Sequence, residues 1–122
     1  MIDIQKFIDN YTSPNTDTRL KRRKKTQEFY TPYSIIKKMI YKIEPEMLAD
    51  PTKTFLDPAM GNGNIILGIL YRRIVEHGID WRTALETLYG VELMQDNVDE
   101  TKERIIDLLN KLNIEYDKDV AY

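Results

Sequence analysis

Three short stretches of this chain carry residue types suited to holding a polar small molecule. The first is Asp57-Pro58-Ala59-Met60-Gly61-Asn62-Gly63-Asn64, a carboxylate set ahead of a loop with two glycines. Glycine lets backbone come close to a ligand and adopts positive φ without steric cost. Asp57, read as the end of a strand, can hold a cationic or hydrogen-bond-donating group. The second is Gly90-Val91-Glu92-Leu93. An acidic side chain at the end of a second strand can accept hydrogen bonds from both hydroxyls of a ribose. Leu93 and Met94 beside it offer apolar surface to a purine ring, or equally to the core. The third is Glu28-Phe29-Tyr30-Thr31-Pro32, directly ahead of a helical pattern. The free N–H groups of a helix start attract an anion, Thr31 can help hold a carboxylate, and Phe29 or Tyr30 can pack beside an aromatic ring. Each stretch has a plainer reading: a tight strand-to-helix turn, a solvated surface glutamate, and a helix cap with a hydrophobic staple. For the third, both readings hold at once.

The surrounding pattern must place these residues. Residues 2–9 read as a short amphipathic helix through Ile2, Ile4, Phe7 and Ile8. Residues 11–17 read as a turn or linker. A helix begins near Pro32, capped by Thr31, with Ile35, Ile36, Met39, Ile40 and Ile43 marking its buried face. Pro45 and Pro51 break the chain. Thr54, Phe55 and Leu56 enter a strand that ends at Asp57. An apolar helix follows over 65–75, ended by Gly78, then a small helix over 81–86 and a strand over 87–93. The last helix spans about 98–112, with Val98, Ile105, Leu108, Leu109 and Leu112 on one side. Asn97 is its expected N-cap, with Glu100 at capping-box spacing. Asp99, Glu100, Glu103 and Asp107 form its solvated face. His77 is read as a helix C-terminal residue and Trp81 as packing. Val120 could start a third strand. Strand, glycine loop, helix, strand, helix is a βαβ unit, which implies parallel strands and a right-handed crossover. Ligands of such sheets bind outside the carboxyl ends of the strands. The loop-to-acid spacing exceeds the usual offset of about 20 residues, and the small helix over 81–86 accounts for the excess.

Composition narrows the classes. The chain has 122 residues, 42% hydrophobic and 31% charged, a size and balance that suit one globular domain. It has no cysteine and a single histidine, so disulfides, thiolate metal sites and His-rich metal clusters are not expected. It has no apolar run long enough to span a membrane, and its first ten residues lack a secretory pattern. A cytoplasmic protein is the expectation. Net charge is −2, yet Arg19, Lys21, Arg22, Arg23, Lys24 and Lys25 crowd one short block. That block reads as an arm on DNA phosphates, with a salt-dependence slope of about −5 for six contacts, or as a solvated linker.

Phe-Tyr-Thr-Pro at 29–32, Asp-Pro-Ala-x-Gly-x-Gly-Asn at 57–64 and Gly-Val-Glu-Leu at 90–93, in that order, resemble the N-terminal region of the adenine-N6 DNA methyltransferases of restriction–modification systems and phages. The resemblance covers about residues 24–112, and the ordered triplet is highly specific. Met60 stands where the family often has Cys, and Asn62 where it often has Ser. The resemblance implies an α/β chain with a partial Rossmann-like methyltransferase fold: a short parallel sheet with helices and a helical N-terminal extension. Residues 1–25 would be an N-terminal helix and basic linker, and 26–122 a partial domain for S-adenosyl-L-methionine (SAM). The implied cofactor residues are Phe29, Tyr30, Thr31, Pro32, Asp57, Pro58, Ala59, Gly61, Gly63, Asn64, Glu92 and Leu93. Thr31 and Pro32 would meet the methionine end, Asp57, Gly61 and Gly63 would shape the loop around it, and Glu92 would bind the ribose.

The family's catalytic Asn/Asp-Pro-Pro-Tyr/Phe, whose aromatic ring stacks on the flipped base, is missing, because the sequence has no Pro-Pro pair. The expectation is a cofactor-binding portion that is inactive alone and belongs with DNA. Two or three strands leave a sheet edge open, so a catalytic or specificity partner chain, or a second copy, is expected to complete the sheet. The rival expectation is a stand-alone SAM- or nucleoside-binding module, or an interaction module, that regulates or antagonises a methyltransferase or restriction system.

Overall fold

The computed structural model describes residues 3–9 and 32–114. The elements are α1 (Ile4–Asp9), α2 (Tyr33–Ile40), α3 (Pro45–Ala49), β1 (Phe55–Asp57), α4 (Asn64–Tyr71), a π-helical turn (Arg72–Glu76), α5 (Trp81–Glu86), β2 (Leu88–Gly90) and α6 (Gln95–Lys111). The two strands pair in parallel, with Phe55 opposite Leu88, Leu56 opposite Tyr89 and Asp57 opposite Gly90. A parallel pair needs a crossover between its strands, and α4, the π-turn and α5 supply it. The fold is therefore mixed, with helices around a short two-stranded parallel sheet.

The core forms where α4 lies under the sheet. Ile66, Leu67, Ile69 and Leu70 of α4 are buried with Ile36 and Ile40 of α2, Leu48 of α3, and Ile105, Leu108 and Leu109 of α6. Phe55 and Leu88 pack against this cluster. Side chains alternate across a strand, so Leu56 and Tyr89 point to the opposite face, where they are 63% and 53% exposed. Apolar grooves flank the pair. One, of about 290 Å³, lies between β1 and α2 and is lined by Met39, Ile43, Leu56 and Pro58. The other, of about 320 Å³, lies between β2 and α6 and is lined by Leu85, Tyr89, Val98 and Lys102.

Several local expectations are corrected. Ile35 and Met39 are half exposed, and α2 buries Tyr33, Ile36 and Ile40 instead. The contact with α4 is a single i, i+3, i+7 stripe, narrower than the apolar run, and Met39 falls on the groove beside it. Pro45 starts α3 instead of breaking the chain, since a first helical position has no N–H to lose. The helix expected over 65–75 changes at Arg72 to π-type hydrogen bonding, with His77 N–H donating to Arg72 O. The second strand is shorter than 87–93. The last helix starts at Gln95, with Met94 as its N-cap, so Asn97 sits inside the first turn and is fully buried. Glu100, expected in solvent, is 3% exposed. The N-terminus of α2 is served from a distance: Asp9 Oδ1 accepts the Tyr33 N–H at 2.8 Å, and Pro32 is the N-cap. Thr31, the basic block and the strand expected at Val120 lie outside the described residues. Among the described residues no helix is long and apolar enough to cross a membrane.

Candidate functional site

The carboxyl ends of β1 and β2 are laced together past the last paired residues. Val91 N–H donates to Asp57 O at 3.0 Å, and Met60 N–H donates to Val91 O at 3.0 Å. The loop leaving β1 is thus folded onto the end of β2. Asp57 Oδ1 accepts the Ala59 N–H at 3.1 Å, the local turn that a short carboxylate favours. Its Oδ2 is buried and has no hydrogen-bond partner among the described residues, which is costly unless some donor meets it.

Gly61 and Gly63 both take left-handed backbone, with φ of 57° and 89°. At Gly63 a second constraint applies, because a Cβ there would lie 2.7 Å from Thr101 Cγ2 of α6. Gly63 is therefore needed for its φ and for the closeness of loop to helix. Gly90 nests against the side chain of Met60. Gly63 then caps α4, whose first turn leaves the loop.

Glu92 lies just past β2 and is committed to its own surroundings. Its Oε1 accepts the N–H of Leu93 at 2.8 Å and of Met94 at 3.2 Å, and its Oε2 accepts Asn97 Nδ2 at 3.2 Å. A carboxylate offers about four acceptor positions. Capture of two hydroxyls by Glu92 therefore requires at least one of these bonds to be released. Leu93 stands 95% exposed beside it, with Val91 and Met94 also open to solvent.

The structure brings Asp57, Pro58, Ala59, Gly61, Gly63, Asn64, Glu92 and Leu93 to the carboxyl end of the strand pair. Pro32 heads α2 at an exposed position, and α2 is tied to this end through α1 and through its packing on α4. Phe29, Tyr30 and Thr31, and the basic residues Arg19, Lys21, Arg22, Arg23, Lys24 and Lys25, lie outside the described residues. Asn64 is buried, and its Oδ1 accepts from Arg104 at 2.6 Å. The residues that sequence reasoning missed are on α6. Asn97, Thr101 and Arg104 are buried and reach Glu92, the Gly61 carbonyl and the Asn62 carbonyl. Their spacing of four and three puts them on one helical stripe with the apolar residues, a signal visible in the sequence as polar residues interrupting the core face.

A buried acceptor without a donor, a carboxylate at the second strand end and an exposed leucine beside it suit a ligand with a cationic end, hydroxyls and a flat apolar body. Among the described residues no group of three acidic, His or Cys side chains could hold a metal ion. The family model for N-6 DNA methylase matches residues 8–109, most of the chain, so this protein belongs to the N-6 DNA methylase family. A search of curated proteins and a search of solved structures each returned no match.

Proposed function

We propose that this chain is the SAM-binding portion of a DNA adenine-N6 methyltransferase of the restriction–modification or phage type, with a partial Rossmann-like fold. The observation that carries the reading is the juxtaposition at the strand ends: the Asp57–Gly63 loop is tied to Val91, with the buried Asp57 Oδ2 lacking a partner, one residue before Glu92. When bound, SAM supplies an electrophilic methyl group on a sulfonium. The role of this chain is to hold and orient it. Asp57 Oδ2 receives the ammonium of the methionine end. Gly61 and Gly63 let the backbone approach that end. Glu92 takes the ribose hydroxyls by exchanging them for one or more of its present donors, and Leu93 covers the adenine. Pro32, with Phe29, Tyr30 and Thr31, belongs to the methionine end in this reading. The step on the adenine amino group is assigned to residues beyond these 122, on DNA that the basic block helps to hold. The open sheet face at Leu56 and Tyr89 supports completion by a further chain or a second copy.

The test is a calorimetric titration of SAM into the chain, with Glu92→Ala and Asp57→Asn beside it. Saturable binding that each substitution weakens by about tenfold or more, the scale of one charge-assisted bond, is expected. A folded chain that takes up no SAM, or variants that bind as well as the parent, would overturn the reading.

A further inference from the structure

We propose that Arg104 is a positioning residue for the methionine end of the cofactor and that Asn97 has the same role at the ribose end. The proposal rests on the SAM reading above and goes on to assign how two separate segments are held in one geometry by one helix.

The loop over Gly61–Asn64 has two residues in left-handed backbone. Glycine in such turns brings freedom as well as reach, so the loop needs contacts from outside to hold one shape. They come from a single stripe of α6. The single proton of Thr101 Oγ1 is shared between Asn97 O at 2.9 Å, the stronger contact, and Gly61 O at 3.4 Å, at the long end of hydrogen-bond range. Arg104, fully buried, donates through one terminal nitrogen to Asn62 O at 2.9 Å and to Asn64 Oδ1 at 2.6 Å. Its other terminal nitrogen donates to Ile8 O of α1 at 3.1 Å. The neighbouring residue of α1, Asp9, holds the first N–H of α2. One guanidinium thus joins the glycine loop to the helix whose partner begins at Pro32. Three acceptors from two directions match a planar fork and do not match the point charge of a lysine. Asn97, seven residues earlier on the same stripe, holds Glu92 Oε2. The two segments assigned to opposite ends of the cofactor are therefore braced by side chains two helical turns apart on α6.

This division of labour separates positioning from general stability. 5′-Methylthioadenosine keeps the adenine and ribose of SAM and lacks its amino-acid end. In the whole chain, Arg104→Lys is expected to weaken SAM about tenfold, the value of one lost charge-assisted bond, and to leave methylthioadenosine within about twofold. Asn97→Ala is expected to weaken both ligands alike, because both carry the ribose. Asn64→Ala, which removes one acceptor and keeps the arginine, should reproduce the SAM-selective loss in smaller measure and serves if Arg104→Lys fails to fold. Hydrogen exchange supplies a ligand-free readout: Arg104→Lys should speed exchange over residues 61–64 and leave α3 unchanged. Equal loss of both ligands, or no loss of either, would overturn the role of Arg104 while leaving the SAM reading intact. A parent chain that binds neither ligand overturns the SAM reading and with it the assignment of cofactor ends, and unchanged exchange over residues 61–64 would overturn the bracing as well.

Discussion

The two ends of the short sheet are each held by a buried arginine, and they are finished differently. At the amino end, Arg73 is fully buried and donates from each of its three nitrogens, to Leu48 O at 3.1 Å, Thr87 Oγ1 at 2.6 Å and Asp50 O at 2.8 Å, with its guanidinium 4.9 Å from the Phe55 ring centre. Burial lowers its pKa, but an arginine keeps its charge under these conditions. Each of the three acceptors it meets is thereby satisfied. At the carboxyl end, Arg104 also collects carbonyls, but what it holds is a loop that leaves Asp57 Oδ2 without a donor and stands beside the exposed Leu93. The same device secures one end and props the other open. A buried acceptor without a donor is costly unless something meets it, and this supports the proposed site at the carboxyl end, with the amino end as its anchor.

The largest effect should come from breaking the anchor. Arg73→Met removes three hydrogen bonds and takes from Leu48 O its side-chain donor, while Asp50 O keeps the Lys53 N–H and the Thr87 hydroxyl keeps Thr83 O. Three hydrogen bonds from a charged donor, each worth about 1.5 kcal/mol or more, put the loss at about 3–5 kcal/mol. Domains this small hold about 5–15 kcal/mol in total, so urea denaturation should show a substantial share of the stability gone. Thr87→Val, which removes one partner, should cost about 1–2 kcal/mol. Equal midpoints for the parent chain and Arg73→Met would remove the distinction between anchor and site.

Gly63→Ala attacks the other end and should rank second. Left-handed backbone costs a residue with a Cβ about 1–2 kcal/mol, and the clash with Thr101 adds about 1–3 kcal/mol. Adding Thr101→Ala should recover the clash and leave the backbone cost, a non-additive pair readable by a double-mutant cycle in urea. Gly90→Ala would run into Met60 Sδ and lie 3.2 Å from its Cγ and 3.3 Å from its Cβ, so it should cost about 1–3 kcal/mol for the crowding alone, with no left-handed backbone cost to add. If Gly90→Ala proves the more damaging, the loop is held by β2 and not by α6.

How much of this could be read beforehand differs between the two ends. The loop from Asp57 to Asn64 and the acid at Glu92 were legible because glycine pairs and strand-end carboxylates have few other uses in that order. The βαβ order was legible because the apolar runs have distinct lengths. The braces were not. Arg73 and Arg104 look like surface charges in a string of letters, since a lone arginine usually lies in solvent, and only the fold shows that carbonyls converge on them. Asn97 and Glu100 matched a capping box, but the helix begins at Gln95, so both residues fall inside it and turn inward. The face of α2 was read too wide because periodicity shows which residues are apolar and not how narrow a neighbour is.

Between the two ends lies the seam of α2 and α4, and it offers a pH test. Burial, foremost, and then the nearby Tyr41 and Glu76 raise the pKa of Tyr33 above its ordinary value of 10.0; burial and then Glu76 do the same for Tyr71. The folded chain therefore keeps both phenols neutral at a pH where the unfolded chain ionises them. Stability from this source is complete below about pH 10 and falls as pH rises through the folded values. Tyr33→Phe should flatten the alkaline limb of a thermal-melting profile taken from pH 8 to 11, while keeping the backbone N–H that Asp9 accepts. An alkaline limb as steep as that of the parent would place the titrating group elsewhere.

Gly68→Ala in the same seam should produce the smallest effect, and its sign is informative. Gly68 lies inside α4, where alanine is favoured by about 1 kcal/mol. The new methyl would run into Ile40 Cδ1 and lie 3.4 Å from Ile36 Cγ2. Overpacking costs about 1–3 kcal/mol when backbone must move, but here the obstacle is the far end of a side chain with a second rotamer to try. The two terms nearly cancel, so a urea midpoint close to that of the parent is expected. Ile40→Val alone should cost about 1 kcal/mol through the space it leaves. Combined with Gly68→Ala, which fills that space, it should cost less than the two separate changes added together. A double variant that merely sums them would mean that α2 and α4 move apart instead of repacking, and that the seam yields where the two arginine-braced ends do not.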